Sequence, residues 1–270
     1  MKMFTILFTL LCLLPYSSMA KANETLSFGI VPQQSASKLA RLWSPILRHL
    51  GDKIGIKLQF KTAPNIPVFE SRLYAGEYDI SYMNPYHYIV AHDRAGYRAI
   101  ARQKLKRIVG ILVSHKNDNI SDIQGLSGRT LAFPSPGAFA ASILPRAFLK
   151  QRGIDFTPKY VSSHDSVYRS VQLRLYPAGG GIIRTLRSAD KKVTSDLKTL
   201  WQSQSYTPHA FAVHPRVSDS RVDRLKQAML DMAKEPAGQA LLARIKFKGI
   251  ENGKDTDWDD IRALNIQQLE

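Results

Sequence analysis

Short apolar runs alternate with longer segments of helical periodicity, and this alternation constrains the fold more than any other feature of the chain. LSFGIVP (26–32) is an apolar run that ends at a proline, as a buried strand does. From Leu39 to Leu50 the apolar residues recur every three or four positions, which predicts a helix. Pro45 lies inside that helix, and we expect it to mark a kink or a late start. Strands that alternate with helices predict an α/β fold.

The alternation continues to the end of the chain. The predicted strands are IKLQFKTA (56–63), YDISYM (78–83), RIVGILVSHK (107–116), TLAFPS (130–135) and PKYVSS (158–163). LKTLWQSQS and HAFAVHP are interpreted as two strands that return the chain to its first domain. The predicted helices begin at Pro67 and Pro85, cover AASILPRAFLKQRG and SVYRSVQLRLY, and end with one that buries Val222, Leu225, Met229 and Met232 and stops at Pro236-Ala237-Gly238.

The first twenty residues have the layout of a cleaved secretory signal. A single lysine precedes an apolar core from Phe4 to Leu14, and Ser18-Met19-Ala20 offers a cleavage site after Ala20. The alternative is a membrane anchor, but this core is shorter than the about 20 residues that span a bilayer. Cys12, the only cysteine, lies in this segment, so we expect a periplasmic mature chain without disulfides.

The charge of the chain favours anionic partners. The formal net charge of +16 falls by one, to +15, when Lys2 leaves with the signal. Export and the scatter of the basic residues argue against nucleic acid. The sequence contains no GxSxG, HExxH or GxxxxGK[ST] motif, and His87 and His92 do not share a helix face as a metal pair would. We therefore expect no catalytic residue, metal or cofactor.

Four junctions between a strand and a helix are the candidate binding positions. They are Gln33-Gln34-Ser35, Asn84-Pro85-Tyr86, Ser135-Pro136-Gly137-Ala138 and Ser162-Ser163-His164-Asp165. In open α/β sheets, ligands bind beyond the carboxyl ends of the strands. The first turn of a helix also presents unpaired N–H groups and about half a positive charge. These junctions predict a site for a small anion.

Single residues at these junctions have two interpretations each. The phenol of Tyr86 can donate to an oxyanion, or its ring can simply pack. His164 is either a polar residue near a helix cap or a donor to the anion, where it could also gain charge. Gly179-Gly180-Gly181 is either a loop that approaches a phosphate or a flexible turn, and the sequence leaves both open.

Several of these segments together resemble a known family. LSFGIVPQQSASKLARLWSPILRHLGDKIGIKLQFKTAP, AGEYDI, SYMNPYHYIVAH, LAFPSPGAFAAS and YVSSHDSVYRSV are similar, in order and spacing, to phosphate/phosphite/phosphonate-type periplasmic solute-binding proteins of ABC importers. The resemblance runs from about Leu26 to Arg244. It implies a type II periplasmic-binding-protein fold with two α/β lobes and a ligand cleft between them. Residues 21–110 and 206–270 would form one lobe, and residues 111–205 the other.

The resemblance also implies the positions of the ligand-binding residues. Tyr86 and His164 match the ligand-facing tyrosine and histidine of the family, and the hydroxyl-rich turn of the family falls on Ala138-Phe139-Ala140. Here the hydroxyls are missing, so the backbone N–H groups, with Ser135 and Ser142 nearby, would serve the anion. The predicted ligand-binding residues are therefore Gln33, Asn84, Tyr86, Ser135, Ala138, Phe139, Ala140 and His164.

Two further departures concern the ligand. The earlier cleft tyrosine of the family, expected near Asn65 or Ile66, is absent. YPAGGGIIRTL also lacks the acidic residue that would bind the amine of an aminoalkylphosphonate, so such a ligand fits poorly.

The function that the resemblance implies is capture of a small anion for a membrane permease, by a protein that we expect to be monomeric. The alternative is a ligand-sensing module that docks on a membrane sensor kinase or chemoreceptor. An exported enzyme is the least supported class.

Overall fold

A computed structural model describes residues 25–266 as an α/β structure with two mixed sheets. The strands are β1 Thr25–Ile30, β2 Lys57–Lys61, β3 Ile80–Met83, β4 Arg98–Gln103, β5 Gly110–His115, β6 Arg129–Phe133, β7 Phe156–Tyr160, β8 Ala178–Ile182, β9 Leu197–Gln202, β10 Ala210–Val213 and β11 Ile250–Asn252. The predicted signal segment (1–20), with Cys12, lies outside the described residues. None of the helices within 25–266 is long and apolar enough to cross a membrane.

Ten α-helices and several short helical turns connect these strands. The α-helices are α1 Ala36–Ile54, α2 Ile66–Tyr74, α3 Pro85–Ala95, α4 Leu144–Gln151, α5 His164–Gln172, α6 Ile183–Ser188, α7 Lys191–Thr194, α8 Asp219–Asp231, α9 Pro236–Arg244 and α10 Asp259–Arg262. A π-helical turn, Phe139–Ile143, precedes α4, and 3-10 turns cover Ile123–Leu126, Met232–Lys234 and Asp255–Trp258.

The first sheet has the strand order β11-β4-β10-β3-β1-β2. Strand β1 pairs in parallel with β2 and β3, whereas β10 is antiparallel to β3 and β4. Strand β4, which the sequence reading did not identify, also pairs with β11. The carboxyl ends of β1 and β3 therefore lie at the same edge as the amino end of β10.

The second sheet has the strand order β7-β6-β8-β5-β9. Strand β6 is parallel to β7 and β8, and β5 is antiparallel to β8 and β9. One apolar cluster lies on each face of this sheet, one around Leu112 and Phe133 and the other around Ile111 and Val167. The largest cluster belongs to the first sheet and extends to Phe139 in the turn after β6.

The helix starts follow the predicted capping residues. Asn84 caps α3 by accepting a hydrogen bond from the His87 N–H (2.8 Å), and Pro85 occupies its first turn. Helix α1 begins at Ala36 behind the N-cap Ser35 and includes Pro45, so the proline does not mark a late start. Helix α8 ends at Asp231, and Pro236 begins α9 instead of stopping the preceding helix, as proline in a first turn commonly does.

Two other sequence interpretations were wrong. Gly179-Gly180-Gly181 is neither a phosphate loop nor a flexible turn but the middle of the buried strand β8. A Cβ on Gly180 would overlap the carbonyl oxygen of Ala141 and lie 2.8 Å from the Phe133 ring, so only glycine allows this turn to approach the sheet. LKTLWQ forms β9 of the second sheet and does not return to the first, whereas HAFAVHP does.

Two chain segments connect the sheets, one between β4 and β5 and the other between β9 and β10. They meet as an antiparallel bridge in which Ile108 and Tyr206 exchange two backbone hydrogen bonds, of 2.8 and 3.0 Å. Both connections therefore pass through one point between the two sheets.

Candidate functional site

A cavity lies between the two sheets, where the predicted junctions meet. It is lined by Val31, Gln33, Ile66, Asn84, Ile108, Ala138, Phe139, Ala140, Ala141, His164, Ile182 and His209. Six of the eight predicted ligand-binding residues are among them, the exceptions being Tyr86 and Ser135. Only about 10 Å³ is open to the centre of a water molecule, which is about the space of a single water. We call this space the central cavity.

Gln33 connects the two walls of the central cavity. Its side-chain oxygen accepts a hydrogen bond from Arg184, which follows β8, and its carbonyl accepts from the His164 N–H (3.2 Å). Its amide nitrogen lies 3.0 Å from Nε2 of His209, a buried residue just before β10. With the amide as donor, His209 carries its proton on Nδ1. One side chain after β1 thus contacts residues of both sheets.

Asn84 makes a second contact across the cavity. While its side-chain oxygen caps α3, its Nδ2 donates to the carbonyl oxygen of Gly137 (3.1 Å), in the turn that follows β6. Gly137 also packs tightly against Glu70, whose carboxylate accepts from Nε2 of the buried His87 (2.8 Å). The residue that caps α3 is therefore hydrogen-bonded directly to the turn after β6 in the second sheet.

The turn after β6 presents backbone and apolar atoms to the cavity. Ala138, Phe139, Ala140 and Ala141 are all buried there. Residues 139–141 begin the π-helical turn, so their N–H groups have no carbonyl acceptors from a preceding turn of the helix. Ser142 instead accepts a bond from Arg146, and the Ser135 hydroxyl is buried without a hydrogen-bond partner among the described residues. The turn therefore presents backbone N–H groups to the cavity, and their predicted role as donors to an anion stays a prediction.

The two cavity histidines are uncharged at neutral pH. Burial, and secondly the positive charge of Arg184, lower the pKa of His164 to about 3. The same causes place the pKa of His209 well below its usual range. His164 Nδ1 lies 2.9 Å from the Thr185 hydroxyl, and His209 stacks on Tyr82 at 5.0 Å. Neither burial nor the neighbouring Arg184 favours the imidazolium, so a charge that His164 could gain beside an anion stays a prediction.

Arg184 supplies the positive charge beside the cavity, and the sequence reading missed it. It is half-buried in the first turn of α6 and bonds Gln33. No carboxylate of the described residues forms an ion pair with it. The sequence indicated it only as an arginine shortly after an apolar segment. Because Gly179-Gly180-Gly181 was interpreted as a loop or turn, that segment was not recognised as a strand.

Tyr86 lies outside the central cavity. It is half-buried in a separate groove with Glu70, Asp93, Arg94 and Gly137 among the lining residues. Because the N-terminal end of α3 points Asn84 and not Tyr86 towards the cavity, the two adjacent residues have different surroundings. No cluster of three or more potential metal-ligating side chains occurs within residues 25–266.

Comparison with known proteins gives consistent results across sequence and structure. The chain is 22% identical over 235 residues to the phosphate-import protein PhnD of Mycolicibacterium smegmatis, a match covering 78% of this chain and 73% of that protein. A binding-protein component of an ABC phosphonate transporter from Pseudomonas aeruginosa shares the fold with a TM-score of 0.84 and 16% identity, covering 92% of this chain and 88% of that one.

A third relative was solved with a ligand. PhnD1 from Prochlorococcus marinus, in complex with methylphosphonate, superposes with a TM-score of 0.82 at 18% identity, over 91% of this chain and 98% of that one. The family described as ABC transporter, phosphonate, periplasmic substrate-binding protein matches residues 28–258. Its match spans both sheets and every residue of the central cavity. The chain therefore belongs to the periplasmic substrate-binding proteins of ABC phosphonate transporters.

Proposed function

We propose that the protein binds a small oxyanion of the phosphate and phosphonate class between two lobes and delivers it to the permease of an ABC importer. Residues 21–110 and 206–270 form one lobe in this proposal, and residues 111–205 the other. The observation that carries it is the central cavity, where Gln33, Asn84 and His164 meet the N–H groups of the turn after β6. The names of the relatives, which include phosphate import and a methylphosphonate complex, support the same ligand class.

The proposed binding mode uses neutral donors around the oxyanion and a positive charge beside it. The N–H groups of residues 139–141, the amides of Gln33 and Asn84, and the imidazole of His164 are the donors, and Arg184 provides the charge. With only about 10 Å³ open to a water centre, the cavity has room for about one water and not for a phosphonate group, so in this proposal the lobes separate to admit the ligand. Closure over it then shifts the population towards the form that the permease recognises.

The remaining parts of the proposal concern the setting of the protein. The signal is cleaved after Ala20, the mature protein is a periplasmic monomer, and it catalyses no reaction, since capture and release require no covalent step. Membership of the transporter family favours import over the sensing alternative.

A ligand screen tests this function. Phosphate, phosphite, methylphosphonate and sulfate are added separately to the purified mature chain, and thermal unfolding is followed. A ligand at 100 times its dissociation constant stabilises the folded state by about 2.7 kcal/mol. At least one oxyanion should raise the melting temperature, and calorimetric titration then gives its dissociation constant. A shift with neutral or cationic metabolites but with none of the oxyanions would contradict the proposal.

A further inference from the structure

A second cavity adjoins the central cavity and is lined by positive charge. It has about 130 Å³ open to a water centre, and it shares Ile108, Ile182 and His209 with the central cavity. Its cationic lining consists of Lys106, Arg107, Arg184 and Arg187. We call this second cavity the basic groove. Within residues 25–266, no aspartate or glutamate lines it. The basic groove is therefore the larger of the two adjoining spaces and the one lined by cationic side chains.

These cations are mostly without counterions. Arg107 pairs with Asp260 at 2.7 Å. For Lys106, Arg184 and Arg187, by contrast, the described part of the chain provides no carboxylate within 4.0 Å. Half-burying a guanidinium without an anion is unfavourable, because desolvation is not offset by an opposite charge. An acidic group of a ligand would offset it.

A second space lined by Arg184 and Arg187 shows the same charge pattern. A further cavity of about 310 Å³ is lined by both arginines and by Lys38, Lys191, Arg244 and Lys246, again without a carboxylate. Among the acids of the described residues, only Asp165 lies within 4.0 Å of one of these four cations, 3.7 Å from Lys38. The two arginines therefore line two cation-lined spaces, and among the described lining residues no acidic side chain competes with a bound anion.

We propose that the ligand carries two acidic ends, a phosphonate or phosphate group in the central cavity and a second acidic group, such as a carboxylate, in the basic groove. This inference rests on the proposed function, because it places the first group in the central cavity. The shared lining residues make a short linker sufficient. Arg184 lies beside both spaces and contacts both ends, while Arg187 and Lys106 act on the second end.

Three phosphonates of similar size separate the charge effect from the shape effect. Ethylphosphonate, phosphonoacetate and aminomethylphosphonate place a methyl, a carboxylate and an ammonium group at the same distance from phosphorus. Isothermal titration of the mature chain should give phosphonoacetate the lowest dissociation constant, about tenfold below that of ethylphosphonate, with aminomethylphosphonate the weakest. Raising the salt concentration should reduce the advantage of phosphonoacetate.

Variants that remove one positive charge test which side chains bind the carboxylate of phosphonoacetate. Arg187→Gln and Lys106→Gln alter exposed side chains, so folding should be retained, which thermal unfolding checks. Each should weaken phosphonoacetate binding several-fold and change ethylphosphonate binding by less than about twofold. Arg187→Lys, which keeps the charge, should restore most of the affinity. Arg169→Gln removes the same charge from an exposed position on α5 that lines none of these cavities, and it should leave both affinities unchanged.

Each outcome distinguishes the two proposals. Equal affinity for ethylphosphonate and phosphonoacetate would overturn the two-ended ligand while leaving the proposed function intact. Equal losses for both compounds in Arg187→Gln would also overturn it, because the groove would then act only through general charge. If no oxyanion binds in the screen or in this series, the proposed function fails and the inference fails with it.

Discussion

The central cavity and the basic groove are neighbouring spaces with opposite properties. The first is nearly filled, with about 10 Å³ for a water centre, and its histidines are held neutral. The second offers about 130 Å³, and its polar lining is dominated by arginine and lysine. Enclosure and charge are therefore separated in space, with Arg184 at the boundary.

This separation has a physical advantage. A fully enclosed cation would lose its hydration and require a permanent counterion, which would compete with the ligand. Neutral N–H and amide donors can surround an oxyanion without that competition. In the proposed binding mode, the charge of Arg184 beside them raises the affinity for anions while the guanidinium stays partly hydrated.

Moving the turn after β6 away from the sheet should destabilise the fold around the central cavity. Gly180→Ala places a methyl group on the Ala141 carbonyl oxygen and against Phe133. Because backbone must shift to accommodate it, we expect a loss of about 3 kcal/mol in the free energy of unfolding. Urea denaturation measures the loss. Gly128→Asn, at an open position with φ +71° that asparagine tolerates, is the control. Equal stability of the two variants would show that close approach is unimportant.

Acidification should lower the free energy of unfolding, because the buried His164 of the central cavity is neutral in the fold. The pKa of His164 is about 3 in the fold, below its ordinary value of 6.5, so its contribution is complete above about pH 6.5 and is lost as the pH falls towards 3. Within that window each pH unit removes about 1.4 kcal/mol, or about 2 kcal/mol by pH 5. Urea denaturation from pH 7.5 to 5 measures the slope. His164→Gln should remove this part of the slope and leave the part that His209 contributes, because the pKa of His209 is also lowered. An unchanged slope would contradict the assignment to His164.

Removing the Gln33 side chain should weaken oxyanion binding, because this side chain lies between the central cavity and Arg184. Gln33→Ala leaves Arg184 and His209 without their shared partner. We expect oxyanion binding to weaken by about 1–3 kcal/mol, measured by calorimetric titration with the best ligand of the screen. Gln124→Ala, at an exposed site, is the matched control. Unchanged affinity in the Gln33 variant would remove this residue from the proposed site.

The Tyr86 hydroxyl should have the smallest effect. Because Tyr86 lines a separate groove, Tyr86→Phe should change oxyanion affinity by less than about 0.5 kcal/mol. The same titration measures it. A tenfold loss would instead support the ligand contact that the family resemblance implies, and would require α3 to rotate when the ligand binds.

Local sequence patterns predicted the junction residues well. Gln33, Asn84, Ala138 and His164 each follow a parallel strand, and such ends are recognisable from an apolar run, a cap residue and a helix start. Six of the eight predicted residues meet in one cavity for this reason. Their role as ligand contacts remains a prediction.

The missed residues depend on features that are not local. His209 precedes an antiparallel strand, so its position beside Gln33 follows from the strand order and not from any pattern around it. Arg184 follows β8, which three successive glycines disguised as a loop. Those glycines are required by contacts with Ala141, Val167 and Tyr168, which lie far away in sequence. Tertiary packing, rather than local propensity, decided both positions.

The bridge between Ile108 and Tyr206 has a mechanical consequence. Two reciprocal backbone hydrogen bonds hold the connecting segments side by side, so sliding of one half past the other would break both. Rotation about the bridge keeps them. A hinge-like rotation of the two halves therefore costs fewer backbone hydrogen bonds than a sliding motion.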